Sequence, residues 1–279
     1  MEQLLSALKN YKFDIIVLAG QSNAEGNGFG NTPIAENNGQ VFQLSDKNVA
    51  SFVPDPATPI KVILNVVFPL DLYFGLAKER IETYRKESMG ELSLTFANEY
   101  IKAGLLSEGR NLLIVKTPAG GTGFARKEWG LGSVLYKRLI EMTDIALNAN
   151  PENRLVAFLW HQGEHDAYEN AHLNNAERYE FYKENFMAQM NDYRAKYGNV
   201  PIICGEFQDD WTKDYQEQSD VVEKCIKDCC EILGNACMVS SQGLPSNDME
   251  VGNKDNAHFC RWAIYELGRR YFKGYESLK

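Results

Sequence analysis

The stretch Phe13-Asp14-Ile15-Ile16-Val17-Leu18-Ala19-Gly20-Gln21-Ser22-Asn23 decides the fold of this chain of 279 residues. Its first seven residues are almost all apolar and end at a glycine, which is typical of a strand buried on both faces of a parallel sheet. Polar residues that directly follow such a strand lie at the sheet edge where open α/β proteins bind their ligands. The stretch therefore predicts a parallel α/β sheet with Ser22 at a candidate functional site.

Further apolar runs predict the remaining strands of the sheet. We expect strands at residues 13–19, 111–115, 155–160, 200–204 and 236–240, with 61–68 as an additional candidate. Helices are expected at residues 1–10, 91–106, 133–149, 174–197, 215–233 and 257–273. Because strands alternate with helices, the pattern predicts an α/β fold with three layers, α/β/α, and right-handed crossovers. The central parallel sheet should have about five strands, and residues 1–279 should form a single domain.

Two more polar blocks follow core elements or precede helices. Trp160-His161-Gln162-Gly163-Glu164 comes after the apolar run 155–159, and Asp255-Asn256-Ala257-His258 comes just before the last predicted helix. A turn or a helix cap would explain each block taken alone. A serine, however, becomes a nucleophile when a base reaches it, and the last block offers an imidazole beside a carboxylate. The three blocks together favour one active site.

These blocks resemble those of a known family. Residues 19–23, 160–167 and 255–259 are similar to three signature blocks of the SGNH hydrolase superfamily. More narrowly, they resemble the sialate O-acetylesterase and acetylxylan esterase group, carbohydrate esterase family 6. Lys116-Thr117-Pro118-Ala119-Gly120-Gly121-Thr122 is similar to that family's Gly-Gly-Thr loop, and Gly90-Glu91-Leu92-Ser93 is a weaker match. The resemblance implies a flavodoxin-like SGNH hydrolase fold.

The same resemblance implies a function. We expect a serine esterase that removes acetyl groups from O-acetylated sugars, either acetylated xylan-type sugars or sialic acid, through an acyl-enzyme. The segment from Gln40 to Met89 matches no pattern of the family, and His165 stands where the family more often has a small residue. A lipase-like or thioesterase-like acyl hydrolase of the wider superfamily is the alternative. A carbohydrate-binding protein without turnover is disfavoured by the presence of Ser22, Asp255 and His258.

Acyl transfer needs a nucleophile, a base and an acid that orients the base. We expect Ser22 to be the nucleophile. The resemblance makes His258 the base, because it alone of the four histidines lies in a block that matches the family's catalytic histidine. Asp255, three positions earlier, is the nearest acid. Glu164, which follows the 155–160 strand and so lies at the same sheet edge, is the second candidate.

The reaction also needs donors for the oxyanion. We expect the backbone N–H of Ser22 to serve, together with a backbone N–H of the Gly120-Gly121 loop, where glycine lets the chain approach the ester closely. The resemblance adds the side-chain amide of Gln162, which stands where SGNH enzymes more widely carry asparagine.

Residues for substrate binding are expected near these blocks. Gln21 and Asn23 flank the expected nucleophile, and Trp129 lies in a neighbouring loop. Aromatic rings in such loops can stack on sugar faces, and Trp211 and Tyr168 are further candidates for that role. The substrate expected is a small-molecule or oligosaccharide acetyl ester, and the sequence leaves the oligomeric state open.

Composition argues against several classes of partner. The net charge is −9, which does not supply the basic surface that nucleic-acid binding requires. No apolar stretch reaches about 18 residues, so we expect no membrane span. Residues 1–10 lack the basic and long apolar regions of a signal peptide, which favours a cytoplasmic location. A processed secreted form with an added Met is the alternative.

The cysteines and histidines do not suggest a metal site. Six cysteines are present, and none is spaced as a Cys-x-x-Cys pair. His161 and His165 are one helical turn apart, but no third ligand stands near them in the sequence. We therefore expect reduced thiols, no metal and no cofactor.

Overall fold

The computed structural model describes residues 2–48, 65–82 and 86–279. Its strands are β1 (Phe13–Gly20), β2 (Val41–Asp46), β3 (Leu72–Leu76), β4 (Arg80–Glu82), β5 (Glu87–Met89), β6 (Asn111–Lys116), β7 (Arg154–His161), β8 (Ile202–Gly205) and β9 (Ala236–Val239). Its α-helices are α1 (Glu2–Lys9), α2 (Ser22–Glu25), α3 (Leu92–Lys102), α4 (Val134–Asn148), α5 (Glu164–Glu169), α6 (Asn175–Tyr197), α7 (Asp209–Asp214), α8 (Gln216–Leu233), α9 (Asn247–Val251) and α10 (Arg261–Ser277).

The main sheet has seven strands in the order β3-β2-β6-β1-β7-β8-β9. Its strand pairs are parallel, except for the antiparallel pair of β2 and β3. The five predicted parallel strands are confirmed as β1, β6, β7, β8 and β9, but the sheet extends by β2 and β3 at one edge. β4 and β5 form a separate two-stranded antiparallel sheet.

The additional strands lie in the segment Gln40–Met89, which matched no pattern. β2 carries polar residues at Gln43 and Ser45, so it lacks the continuous apolar run of the central strands. Of the candidate strand at residues 61–68, residues 61–64 lie outside the described residues and residues 65–68 are not in a strand. The prediction of a single domain stays a prediction.

Helices cover both faces of the sheet. Along β1, Ile15, Val17 and Ala19 pack into one core with helices α1, α4, α6 and α8. Ile16 and Leu18 pack into the opposite core with α3 and α10. Burial on both faces explains the unbroken apolar run of β1 and confirms the three-layer prediction. Within the described residues, no helix combines the length and the apolar character needed to cross a membrane.

The carboxyl ends of β6, β1 and β7 meet at one edge of the sheet. Beyond the strands, the Ala119 N–H donates to the Gly20 carbonyl at 3.0 Å and the Gln21 N–H donates to the His161 carbonyl at 2.9 Å. These bonds bring the chain after each strand to the same place. The start of the last helix differs from the prediction, because residues 257–260 belong to a loop at this edge and α10 begins at Arg261.

The turn after β1 depends on Gly20. This residue has φ 130°, and a Cβ there would collide with the His161 carbonyl oxygen. We expect Gly20→Ala to lower the free energy of unfolding by about 3 kcal/mol or more, since backbone strain and steric overlap add. Urea unfolding followed by circular dichroism measures this loss.

Gly39→Ala is the matched control. Gly39 also has a positive φ, 84°, but a Cβ there would meet no atom within 4 Å. Its expected loss is about 1 kcal/mol from backbone strain alone. Equal losses in the two variants would contradict the steric role of Gly20.

Candidate active site

Ser22 begins helix α2 directly after the Gly20 turn. Its neighbours Gln21 and Asn23 are buried, whereas Ser22 is partly exposed. The N–H groups in the first turn of a helix have no partner within the helix. The turn therefore presents both a hydroxyl and a backbone donor at the carboxyl edge of the sheet.

Asp255 holds the ring of His258. Both carboxylate oxygens lie 2.9 Å from His258 Nδ1, and Asn247 Nδ2 donates to Asp255 Oδ2 at 2.8 Å. Burial raises the pKa of Asp255, but the bonds from His258 and Asn247 and the electrostatic attraction of the imidazole outweigh it and hold the pKa below its usual value. Because a charged carboxylate accepts the proton of Nδ1, Nε2 is left as the basic atom of the ring.

The side chain of Asn23 joins the His258 loop to the serine turn. Its Nδ2 donates to the Ala257 carbonyl at 3.1 Å, and its Oδ1 accepts from the Phe259 N–H at 3.2 Å. These two partners are the residues on either side of His258. Since Asn23 directly follows Ser22, these bonds join the loop that carries His258 to the turn that carries the serine.

Glu164 contacts the side chain of Asn23 instead of the imidazole of His258. Its Oε1 accepts from Asn23 Nδ2 at 2.9 Å and lies 3.5 Å from His161 Nε2. Burial raises the pKa of Glu164, but the His161 ring and the Asn23 amide outweigh burial and hold it below its usual value. Of the two acids that the sequence left open, the structure therefore brings Asp255 to His258 and Glu164 to Asn23.

The Gly120-Gly121 loop lies against the serine turn. A Cβ at Gly120 would lie 3.6 Å from Ser22 Cβ and 2.8 Å from Glu25 Oε2, so a side chain at this position would collide with Glu25. Among the backbone hydrogen bonds of the described residues, none uses the N–H groups of Gly120 and Gly121. The N–H groups of both glycines are thus unengaged by the backbone, and Gly120 lies against Ser22.

The amide of Gln162 is engaged by the protein itself. Its Nε2 donates to Asp166 Oδ2 at 2.6 Å and to the Thr122 carbonyl at 3.2 Å, and its Oε1 accepts from the Tyr182 hydroxyl at 3.2 Å. This differs from the free donor expected from the sequence. Asp166, whose pKa burial raises to about 6, lies four residues after Gln162 in the first turn of α5 and accepts the hydrogen bond of the Gln162 amide. The geometry makes Gln162 a support of the glycine loop.

The residues expected to bind substrate are placed differently. Trp129 is buried, donates to Thr122 Oγ1 at 2.9 Å and packs edge-on against Trp160, so its expected role in sugar stacking is wrong. Asn23 is buried, and its side-chain amide is bonded to Glu164, Ala257 and Phe259. Gln21 accepts from the His165 N–H at 3.2 Å, which leaves its amino group as the part that could meet a substrate.

Asn247 is a residue of the site that the sequence did not indicate. Besides supporting Asp255, it donates to the Asn27 carbonyl at 2.8 Å and its Oδ1 accepts from the Phe29 N–H at 2.8 Å. These partners are distant in the chain, and nothing in its local sequence signals them. In the part of the chain that the structure describes, no group of three or more His, Cys, Asp or Glu side chains is arranged to hold a metal ion.

A serine at the carboxyl edge of a parallel sheet, an Asp–His pair held to it and a glycine loop with open N–H groups define a serine hydrolase. Over residues 12–277, the chain matches the family described as "Carbohydrate esterase, sialic acid-specific acetylesterase", and it belongs to that family. Family membership confirms the predicted class, a carboxylic ester hydrolase that acts on acetylated carbohydrate, and implies a sugar acetyl ester as the small-molecule substrate.

Individual relatives agree with this class. The chain is 28% identical to a probable carbohydrate esterase of Arabidopsis thaliana, over 94% of this chain and 90% of that protein. It is 25% identical over 97 residues to a probable 9-O-acetyl-N-acetylneuraminic acid deacetylase of Escherichia coli, a match that spans 34% of this chain and only 30% of that protein.

Solved structures share the fold. The crystal structure of NanS superposes with a TM-score of 0.66 at 17% identity and covers 95% of this chain and 97% of that chain. An X-ray structure of an Arabidopsis thaliana protein superposes with a TM-score of 0.67 at 21% identity and covers 95% and 98% of the two chains.

The bonds of Gln162 predict a mainly structural effect of its removal. We expect Gln162→Ala to lower the free energy of unfolding by about 2–3 kcal/mol, because Asp166 and Tyr182 each lose a buried partner. Urea unfolding and steady-state kinetics on the same samples check this. A variant with unchanged stability and a kcat lowered by roughly 10²-fold or more would instead make Gln162 a direct donor to the oxyanion.

Proposed function

We propose that Ser22 attacks the acetyl carbonyl of an O-acetylated sugar, with His258 as general base and Asp255 as the acid that orients it. The observation that carries this proposal is the Asp255–His258 pair, joined at 2.9 Å and held to the serine turn through Asn23. The carboxylate fixes the ring so that Nε2 is the atom free to take the serine proton.

The steps of the reaction then follow. The Ser22 hydroxyl gives its proton to His258 Nε2 while its oxygen bonds to the carbonyl carbon. The backbone N–H groups of Ser22, Gly120 and Gly121 stabilise the oxyanion, and such donors typically contribute about 3–4 kcal/mol each. Collapse breaks the bond to the sugar oxygen, which takes the proton from His258. Water, activated by the same imidazole, releases acetate and restores Ser22.

The sugar that carries the acetyl group is either sialic acid or an acetylated xylan-type sugar. The family description and the E. coli relative named as a deacetylase of 9-O-acetyl-N-acetylneuraminic acid support the first. Acetate release from both substrates, measured side by side, decides between them. The expected cytoplasmic location and the expected absence of nucleic-acid and membrane partners stay predictions.

Removal of the nucleophile tests the proposal directly. We expect Ser22→Ala to keep its fold and to lose at least about 10³-fold in kcat on an acetyl ester. Acetate release and circular dichroism check this, with Ser107→Ala, an exposed serine distant in sequence, as the control. Substantial turnover by a folded Ser22→Ala protein would remove the assignment.

The two acids should differ in their effects. Asp255→Asn should lower kcat by roughly 10²-fold or more, because an amide cannot stabilise the imidazolium that forms in the reaction. Glu164→Gln should cost less, because its remaining carbonyl oxygen can still accept from Asn23. Steady-state kinetics on both folded variants compares them. A larger loss of kcat in Glu164→Gln would make Glu164 the orienting acid.

The length of the acyl chain separates an acetylesterase from a lipase-like hydrolase. We expect turnover to fall by tens-fold or more from acetyl to butyryl esters, since a pocket discriminates each methylene by roughly 1–3 kcal/mol at best. Rates on a series of aryl esters from acetyl to octanoyl measure this. Equal or faster turnover of octanoyl esters would favour the lipase-like alternative.

A further inference from the structure

Two tyrosines, one exposed and one partly buried, form an aromatic pair on segments that are bonded to the site. Tyr168 lies near the end of α5 and is 48% exposed, and Tyr215 lies at the junction of α7 and α8. Their rings meet edge to face, with centroids 5.7 Å apart. Tyr215 is backed on its other side by the buried Trp211 at 5.1 Å. Tyr168 therefore presents to solvent an aromatic ring that Tyr215 supports.

One end of this surface is fixed to the serine turn. The N–H of His165, in the first turn of α5, donates to Gln21 Oε1 at 3.2 Å, and Gln21 directly precedes Ser22. Tyr168 follows His165 by three residues, which is about one helical turn. The position of Tyr168 relative to the nucleophile is thus set by a short, bonded stretch of chain.

The other end is fixed to the His258 loop. Asn256, two residues before His258, donates through Nδ2 to Asp214 Oδ2 at 2.7 Å. Asp214 directly precedes Tyr215. Bonds and a ring contact thus connect the serine turn, through α5 and the two tyrosines, to the histidine loop.

We propose that Tyr168 and Tyr215 form a stacking wall for the pyranose ring whose acetyl group Ser22 removes, an inference that rests on the proposed function. An aromatic ring that a neighbouring ring already holds in one orientation binds the apolar C–H face of a sugar at low entropic cost. Trp129 and Trp211 are buried, at 2% and 9% exposure, and offer no such face. Tyr168 is the ring that is exposed to a sugar, and Tyr215 supports it.

The experiment compares a sugar substrate with one that lacks the sugar. KM and kcat are measured for an acetylated sugar and for ethyl acetate with wild type, Tyr168→Ala and Tyr168→Phe. We expect Tyr168→Ala to raise KM for the acetylated sugar by roughly 5- to 20-fold and to leave kcat/KM for ethyl acetate within about twofold. Tyr168→Phe keeps the ring and should keep KM near the wild-type value.

Ile232→Ala is the control, because Ile232 is also exposed but lies at the far end of α8 from Tyr215. An unchanged sugar KM in Tyr168→Ala overturns the stacking wall, as does an equal loss on ethyl acetate, which would mean that the ring supports the site's structure. The proposed function itself would be overturned if the wild-type protein hydrolysed ethyl acetate but neither O-acetylated sialic acid nor an acetylated xylan-type sugar.

Discussion

The hydrogen bonds of the Asn23 side chain hold the site together. One buried amide joins the serine turn to Glu164 and to the loop around His258, which lie 141 and more than 230 residues further along the chain. A buried amide without partners would cost free energy, and each bond made here offsets part of that cost. Because Asn23 is covalently next to Ser22, the same bonds that satisfy it also hold the loop that carries the base to the turn that carries the nucleophile.

The hydrogen bonds of Asn23 explain why the site contains two carboxylates. Asp255 lies in the histidine loop and accepts a hydrogen bond from the imidazole. Glu164 lies after β7 and accepts a hydrogen bond from the Asn23 amide. Each acid is charged because its own donors outweigh the effect of burial, which would otherwise raise its pKa. The two acids therefore have different roles. Asp255 orients the base, and Glu164 bonds to Asn23, the residue that holds the histidine loop to the serine turn.

Sequence patterns predicted the parts of the fold and site that local chemistry determines. The five parallel strands were predictable because burial on both faces requires continuous apolar runs, whereas β2 was missed because Gln43 and Ser45 interrupt its pattern. The Asp255–His258 pair was predictable because its partners are three residues apart. The engagement of Gln162 by Asp166 and the burial of Trp129 against Trp160 depend on how distant segments pack, which no local motif specifies.

Covalent labelling tests the central claim most directly. A fluorophosphonate reacts with an activated serine, whose oxygen bonds to phosphorus as fluoride leaves and the imidazole takes the proton. After inactivation of the wild-type protein, peptide mapping by mass spectrometry locates the adduct. The arrangement described here predicts a single adduct on Ser22 that appears in step with the loss of esterase activity. Inactivation with the adduct on another residue, or full labelling of Ser22 with activity retained, would contradict it.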